Sequence, residues 1–130
     1  MEKKQIQAAL RIFTDGERYA ARGALAEENG IVTITYADPA MEGAPTALRF
    51  DSTSLTMTRS GAYQTALRFQ NGKPQPVTYQ TPYGTISLTV QTKLLQIDRT
   101  AYGWQIDLAY EIGFGNGEGE AHEMSILITI

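Results

Sequence analysis

The segment VTYQTPYGTISLTVQT, Val77 to Thr92, consists of two alternating stretches separated by a compact break. On both sides of the break, apolar and polar residues alternate with a period of two, which is typical of half-buried β-strands. At the break, Pro82 fixes its own φ, Gly84 permits conformations closed to other residues, and Thr81 is held extended by the proline that follows it. The segment therefore predicts a strand, a corner or β-turn, and a second strand.

The same alternation continues through the rest of the chain. It is clearest in four further stretches: residues 6–12, 32–36, 104–112 and 124–130. Asp15-Gly16, Asn29-Gly30 and Asn71-Gly72 separate strands with dipeptides that favour tight hairpin turns. No segment of ten or more residues has a helical apolar stripe. The sequence therefore predicts an all-β protein, an antiparallel meander that closes into a barrel of about eight to ten strands.

Length, composition and charge limit the classes of protein. A chain of 130 residues corresponds to one domain, residues 1–130. There is no cysteine for a disulfide framework, and no apolar run approaches the roughly 20 residues of a membrane span. The net charge is −3, and acidic residues interleave with the nearby Arg11, Arg18 and Arg22. We therefore expect a cytoplasmic protein with no membrane partner and no nucleic-acid partner.

Three segments, TMTRSGAYQTALRF, TYQTPYGTISLTVQT and LAYEIGF, resemble in this order the bacterial DUF1934 (YwiB-like) proteins. The most specific parts are Arg59-x-Gly61, Phe69 and the tyrosine-containing turn over residues 79–84. The resemblance extends over most of the chain, from about residue 6 to residue 130. It implies a calycin-like β-barrel, related to lipocalins and fatty-acid-binding proteins, and it brings no established activity or catalytic residues.

Arg59 is the clearest polar residue with an inward parity. It shares its parity with Leu55 and Met57 and precedes a Ser-Gly turn, so it is expected to face the interior near a rim. A buried guanidinium needs a carboxylate, carbonyl groups or an anionic ligand. Glu27 has an inward parity on its own strand and is one candidate partner. The alternatives are an internal ion pair, a rim arginine that reaches solvent, or an arginine that clamps a ligand carboxylate or phosphate.

Tyrosines are the second group of candidate site residues. Those on apolar parities are Tyr36, Tyr63, Tyr79 and Tyr110. Each combines a large packing surface with one hydroxyl that needs a partner when buried. They either line a cavity and orient a ligand or fill the barrel. Tyr83, in the turn, is expected to cover the barrel end or to stand at a pocket mouth.

His122 is the only histidine, and it shares its parity with Met124. No serine or cysteine nucleophile motif accompanies it, so no catalytic residue is predicted. The loop GFGNGEGEAHE, residues 113–123, alternates Asn116, Glu118 and Glu120 with His122 but lacks the spacing of a helical calcium loop. We therefore predict no metal and no cofactor.

The sequence establishes no function, and three hypotheses remain. The preferred one is a non-enzymatic intracellular barrel that binds a small amphipathic or anionic molecule inside. Its candidate ligand-binding residues are Arg59, Tyr79, Tyr83, Tyr63, Tyr110, Tyr36, Glu27 and His122. The second is a solid-core interaction module that forms a homodimer, with the C-terminal strand ending at Ile130 as the pairing edge. The third is a hydrolase or isomerase that uses Glu27, Arg59 and His122.

Overall fold

The computed structural model describes residues 5–114 and 119–130. In these residues the chain forms ten strands and one short 3-10 helix, Pro39–Met41. The strands are β1 (Ile6–Thr14), β2 (Glu17–Glu28), β3 (Ile31–Asp38), β4 (Ala44–Phe50), β5 (Ser54–Arg59), β6 (Thr65–Gln70), β7 (Pro74–Thr81), β8 (Gly84–Thr100), β9 (Gly103–Gly113) and β10 (Gly119–Thr129). The all-β prediction is confirmed. No helix among the described residues has the length and apolar character of a membrane span.

The strands form one antiparallel sheet in the order β6-β5-β4-β3-β2-β1-β10-β9-β8-β7. β1 and β10, the first and last strands of the chain, are neighbours in the middle of this order. The edge strands are β6 and β7, and the gap in the barrel wall falls between them. The prediction of an antiparallel meander closed into a barrel is confirmed, with a barrel that is nearly closed.

The C-terminal strand has no free edge. β10 pairs with β1 on one side and with β9 on the other. Ile130, just beyond the strand, donates its N–H to the Tyr102 carbonyl at 2.7 Å. The expectation that this strand could pair with a second copy is therefore wrong, because both of its edges are already used.

Two prolines explain the gap between β6 and β7. Gln64 and Gln80 exchange both backbone hydrogen bonds at 2.9 Å, which joins the two edges at one end. Strand backbones alternate in direction, so Pro74 and Pro76 also direct their backbone towards β6, as Gln80 does. Proline has no N–H to donate, so the ladder cannot continue along β7. The same prolines protect this edge from pairing with another chain.

At the other end of the gap, an asparagine side chain replaces the missing ladder. Asn71 donates from Nδ2 to the Leu95 carbonyl at 3.0 Å and accepts from the Leu95 N–H at 2.9 Å. These bonds lie next to a β-bulge between Thr92 and Leu94 on β8. The side chain thus pairs backbone groups that the bulge and the open edge leave without strand partners.

We expect Asn71→Ala to lower the free energy of unfolding by about 2 kcal/mol, because it leaves two backbone groups of Leu95 unpaired. Asn71→Asp keeps the acceptor but places a carboxylate oxygen against the Leu95 carbonyl oxygen, so it should also lower the stability. Urea denaturation of the three proteins measures both values. Equal stability of Asn71→Ala and wild type would show that the Asn71 side chain does not close this end of the gap between β6 and β7.

Apolar side chains fill the middle of the barrel. The fully buried ones alternate along the strands: Leu10, Leu25, Ile34, Leu48, Leu55, Met57, Phe69, Val90, Ile106, Ile126 and Ile128. The Trp104 ring packs edge-on against Phe50, with ring centroids 5.9 Å apart. This core occupies the central layers of the barrel, which leaves space for a ligand at the barrel ends.

Candidate ligand-binding site at the barrel mouth

A pocket of about 420 Å³ opens at one end of the barrel, and we call it the mouth pocket. The turn between β1 and β2, the 3-10 helix and the ends of β3, β5, β9 and β10 surround it. Its main polar lining residues are Asp15, Tyr36, Asp38, Arg59, Tyr110 and His122. Four of the residues singled out from sequence therefore meet here: Arg59, Tyr36, Tyr110 and His122.

Arg59 is held by an aspartate at the rim. Its Nη2 lies 2.9 Å from Oδ2 of Asp38, and the two side chains are 16% and 3% exposed, respectively. The other oxygen of Asp38 accepts the N–H of Ala40 at 2.9 Å, which caps the 3-10 helix. Asp38 was not predicted as a site residue, although it shares the inward parity of Tyr36 and precedes a proline.

The pairing of Arg59 with Glu27 is wrong. Glu27 lies towards the opposite end of β2, where its Oε1 is 3.7 Å from Nη1 of Arg99 and both side chains are exposed. Parity correctly indicated a face of the strand, but it does not indicate the level along the strand. Glu27 therefore does not belong to the mouth pocket.

A row of side chains runs from Tyr36 across the sheet at the level of Arg59. Tyr36 faces Thr46, Thr46 faces Arg59, and Arg59 faces Thr65 in the pairing of β3 to β6. Nε of Arg59 and Oγ1 of Thr65 are buried without a hydrogen-bond partner among the described residues. Gly23 lies opposite Tyr36, and a β-carbon there would come 2.6 Å from the Thr35 carbonyl oxygen. Glycine at this position therefore lets β2 and β3 pack closely behind the row.

The two buried tyrosines of the pocket are neutral phenols. Burial raises the pKa of Tyr36, and the Asp38 carboxylate raises it further, while Arg59 opposes both. Burial likewise raises the pKa of Tyr110, with Asp15 adding to the rise and Arg59 opposing it. Within residues 5–114 and 119–130, neither hydroxyl has a hydrogen-bond partner. Both are therefore available to a ligand as donors or acceptors.

Ring contacts fix the position of Tyr110. Its ring centroid lies 4.8 Å from that of Phe69 in the core and 5.3 Å from that of His122, on which it stacks. His122 in turn lies between two carboxylates, with Nδ1 2.7 Å from Asp15 and Nε2 3.3 Å from Glu120. Both ring nitrogens can donate at once only in the imidazolium form.

Asp15 connects the turn between β1 and β2 to the start of β10. Its Oδ1 accepts the N–H of Glu123 at 3.0 Å, and its Oδ2 contacts His122. Burial raises the pKa of Asp15, but the hydrogen bonds from His122 and the Glu123 backbone outweigh burial and hold the pKa below its usual value. The ionised carboxylate is therefore the form that stabilises the folded state.

Asp15→Asn should lower the free energy of unfolding at pH 7, because it removes the charge that pairs with His122. The loss should be no more than about 1 kcal/mol, because the Asp15–His122 pair is partly exposed. A depressed folded-state pKa gives stability that is complete above the unfolded pKa and is lost as pH falls through the folded value. The difference between wild type and variant should therefore shrink below about pH 4. Urea denaturation of both proteins at pH 7 and at pH 3 measures it. A difference that is unchanged at low pH would contradict the assignment.

The remaining candidate tyrosines lie outside the mouth pocket. Tyr63 and Tyr79 contact each other near the gap between β6 and β7, with ring centroids 6.2 Å apart. Tyr83 is 93% exposed and does not line the mouth pocket, so it neither covers the barrel end nor stands at this mouth. The predicted turn itself is present, because Oγ1 of Thr81 accepts the N–H of Tyr83 at 3.1 Å and donates to the Gly84 carbonyl at 2.9 Å. Residues 77–92 therefore form a hairpin with a tight corner.

Metal-ligating residues do not converge in the part of the chain that the structure describes. No group of three histidine, cysteine, aspartate or glutamate side chains there could hold a metal ion. Two residues of the glycine-rich loop, Asn116 and Glu118, lie outside the described residues.

The electrostatics of the mouth pocket are acidic. Three carboxylates line it, Asp15, Glu17 and Asp38, against two basic groups, Arg59 and His122. The charge of Arg59 is already matched by Asp38, so a ligand anion would have to compete with a buried carboxylate. The arrangement can accept a hydroxyl or an ammonium group more readily than a carboxylate.

The protein is thus a short meandering β-barrel with a packed middle and a polar pocket at its mouth. The chain belongs to the family described as "Domain of unknown function (DUF1934)", whose model matches residues 6–126. The resemblance noted in the sequence is therefore confirmed.

One solved structure that resembles this chain is the crystal structure of the ywiB protein from Bacillus subtilis. The two are 21% identical, the match covers 98% of this chain and 94% of the other, and the TM-score is 0.81. This likeness shows a shared fold. A search of curated proteins found no match.

Proposed function

We propose that this protein is a non-enzymatic, calycin-type barrel of the bacterial cytoplasm that binds a small amphipathic molecule in its mouth pocket. The observation that carries the proposal is the presence in one pocket of two buried tyrosines, Tyr36 and Tyr110, beside the Arg59–Asp38 pair; their hydroxyls have no hydrogen-bond partner among the described residues. Few, well-placed polar groups in a concave site are typical of small-molecule recognition. The ligand binds at the mouth, because the middle of the barrel is packed.

The polar end of the ligand is a hydroxyl or an ammonium group. Of the two ligand types expected from sequence, amphipathic and anionic, the acidic lining favours the first. Either phenol accepts a hydrogen bond from such a group, and Asp15 or Glu17 at the rim attracts a positive charge.

The apolar end of the ligand contacts the methionine and isoleucine side chains of the lining. Ile12, Met41 and Met124 border the pocket, and Met41 is partly exposed on the 3-10 helix. Methionine adapts to ligands of varied shape. Each buried methylene contributes roughly 0.8 kcal/mol, so a short aliphatic chain is enough for measurable binding in a pocket of this size.

A binding role is favoured over catalysis by the arrangement of the ionisable groups. The trio Glu27, Arg59 and His122 that a hydrolase or isomerase would use is not assembled, because Glu27 lies with Arg99. Both nitrogens of His122 face carboxylates, which leaves neither directed at a nucleophile.

Native mass spectrometry of the purified protein tests the proposal. Wild type should retain a small molecule that is released under denaturing conditions, and Tyr36→Phe/Tyr110→Phe should retain much less of it. Tyr102→Phe, at an exposed turn position, is the matched control and should behave as wild type. Equal retention by the double variant would contradict the mouth site, and a ligand-free dimer would favour the alternative of an interaction module.

A further inference from the structure

A second concave site lies on the outside of the barrel. It is a groove of about 710 Å³ on the outer face of β1, β2, β9 and β10, and we call it the arginine groove. The residues that define it are Arg11, Phe13, Arg18 and Leu127. Arg11 lies opposite Leu127, and Phe13 lies opposite Arg18, in the strand pairing. The groove shares only Ile12 and Tyr19 with the lining of the mouth pocket.

Positive charge is concentrated on the β1 and β2 side of this groove. Arg22 pairs with Ala9, so Arg11 lies diagonally between Arg18 and Arg22 on one face of β1 and β2. All three arginines are exposed, and none forms an ion pair in the described part of the chain. The chain as a whole has a net charge of −3, so this cluster is a local reversal of sign.

Aromatic and aliphatic side chains form the floor between these arginines. Phe13 is 42% exposed, and the guanidinium carbon of Arg18 lies 5.8 Å from its ring centroid. Leu127 is half-buried beside Arg11. A guanidinium that packs over a ring keeps its edges free to donate two parallel hydrogen bonds to a carboxylate.

We propose that the arginine groove docks an extended acidic peptide segment of a protein partner, with one large apolar side chain of that segment seated between Phe13 and Leu127. Charge complementarity identifies the peptide as acidic, because the exposed guanidinium groups of Arg11, Arg18 and Arg22 share the outer face of β1 and β2 and form no ion pair with a described residue. Arginine and aromatic residues are also the types that dominate the energetic centres of protein interfaces. This site is independent of the proposed ligand site at the mouth.

A nucleic acid fits the groove less well. At most three phosphates could be neutralised, which gives weak binding at physiological salt for a chain with a net negative charge. Asp107 and Glu123 lie on the same outer face of β9 and β10, so the positive charge extends only over β1 and β2, which suits a few acidic side chains better than a run of phosphates. Asp107 accepts hydrogen bonds from Ser125 and Gln105 at the groove, so its carboxylate is fixed there.

Fluorescence anisotropy with a labelled peptide tests this inference. The probe is a short synthetic peptide in which aspartates and glutamates flank a leucine–phenylalanine pair. Two further probes carry serines in place of that pair or consist of single-stranded RNA of similar length. Wild type should bind the first peptide best.

Charge reversal at the groove should weaken binding. Arg11→Glu/Arg18→Glu should reduce the affinity for the first peptide at least about tenfold. Arg49→Glu/Arg68→Glu, at exposed outer positions of β4 and β6, changes the net charge equally and should have a much smaller effect. Circular dichroism and thermal unfolding establish that both variants are folded, and Arg11→Gln/Arg18→Gln replaces the first if it is not. Equal losses in both charge-reversed variants, tighter binding of RNA, or no binding by wild type would overturn the proposal.

Discussion

Replacement of Asp38 by leucine should lower the free energy of unfolding by about 3 kcal/mol or more, because it leaves Arg59 largely buried without a carboxylate. The variant also loses the hydrogen bond from Ala40 that caps the 3-10 helix. The loss of stability should be accompanied by a change in the charge of the mouth pocket, because Asp38 and Arg59 both line it.

The double variant Asp38→Leu/Arg59→Met is the matched control. Replacing a whole buried ion pair with apolar residues is often nearly neutral, whereas breaking one partner is costly. The double variant should therefore be more stable than Asp38→Leu alone in urea denaturation. A double variant as unstable as the sum of the two single changes would show that the pair is not coupled in the folded protein.

Gly103→Ala should lower the free energy of unfolding by about 3 kcal/mol, because β9 and β10 approach closely at this residue. A β-carbon at Gly103 would overlap the carbonyl oxygen of Ile128 and lie 2.8 Å from its carbonyl carbon. Both contacts are with backbone, so a side-chain rotation cannot relieve them. β9 and β10 must therefore shift relative to each other.

Gly30→Ala separates this clash from the general cost of a positive φ. Gly30 has a φ of 78°, but no atom lies within 4 Å of the position that a β-carbon would take in this turn. Its replacement should cost only about 1–2 kcal/mol. Thermal and urea unfolding of both variants give the comparison, and equal losses would show that the approach of Ile128 is not what requires glycine at residue 103.

The fold could be predicted from local sequence signals. Period-two alternation and turn dipeptides such as Asn29-Gly30 act over a few residues, and they identified the antiparallel meander. Parity also placed Arg59 on the inner face, because the side chains of a strand alternate strictly between its two faces. The exposed edges of so long a sheet predicted closure into a barrel, and the resemblance of three segments to one family implied the same.

The composition of the candidate site could not be fully predicted. Parity gives a face but not a level along the barrel, so it grouped Tyr79 and Glu27, which lie outside the mouth pocket, with residues that line it. The level is set by strand register, which depends on pairing between distant segments. The position of the gap between β6 and β7 also depends on such pairing. Pro74 and Pro76 are nevertheless a local signal that β7 is an edge strand with an interrupted hydrogen-bond ladder.

Ligand binding at the mouth pocket can be measured by a titration that follows the amide signals of the protein in heteronuclear NMR spectra. The probes are hexylammonium, hexanol and hexanoate, which share an alkyl chain and differ in the charge of the polar end. If the ligand binds at the mouth pocket, the signals of the amides around Tyr36, Arg59 and Tyr110 should shift. Hexylammonium or hexanol should bind more tightly than hexanoate, and Tyr36→Phe/Tyr110→Phe should bind the probes more weakly than wild type. Shifts confined to other parts of the barrel, or tightest binding of hexanoate, would contradict this proposal.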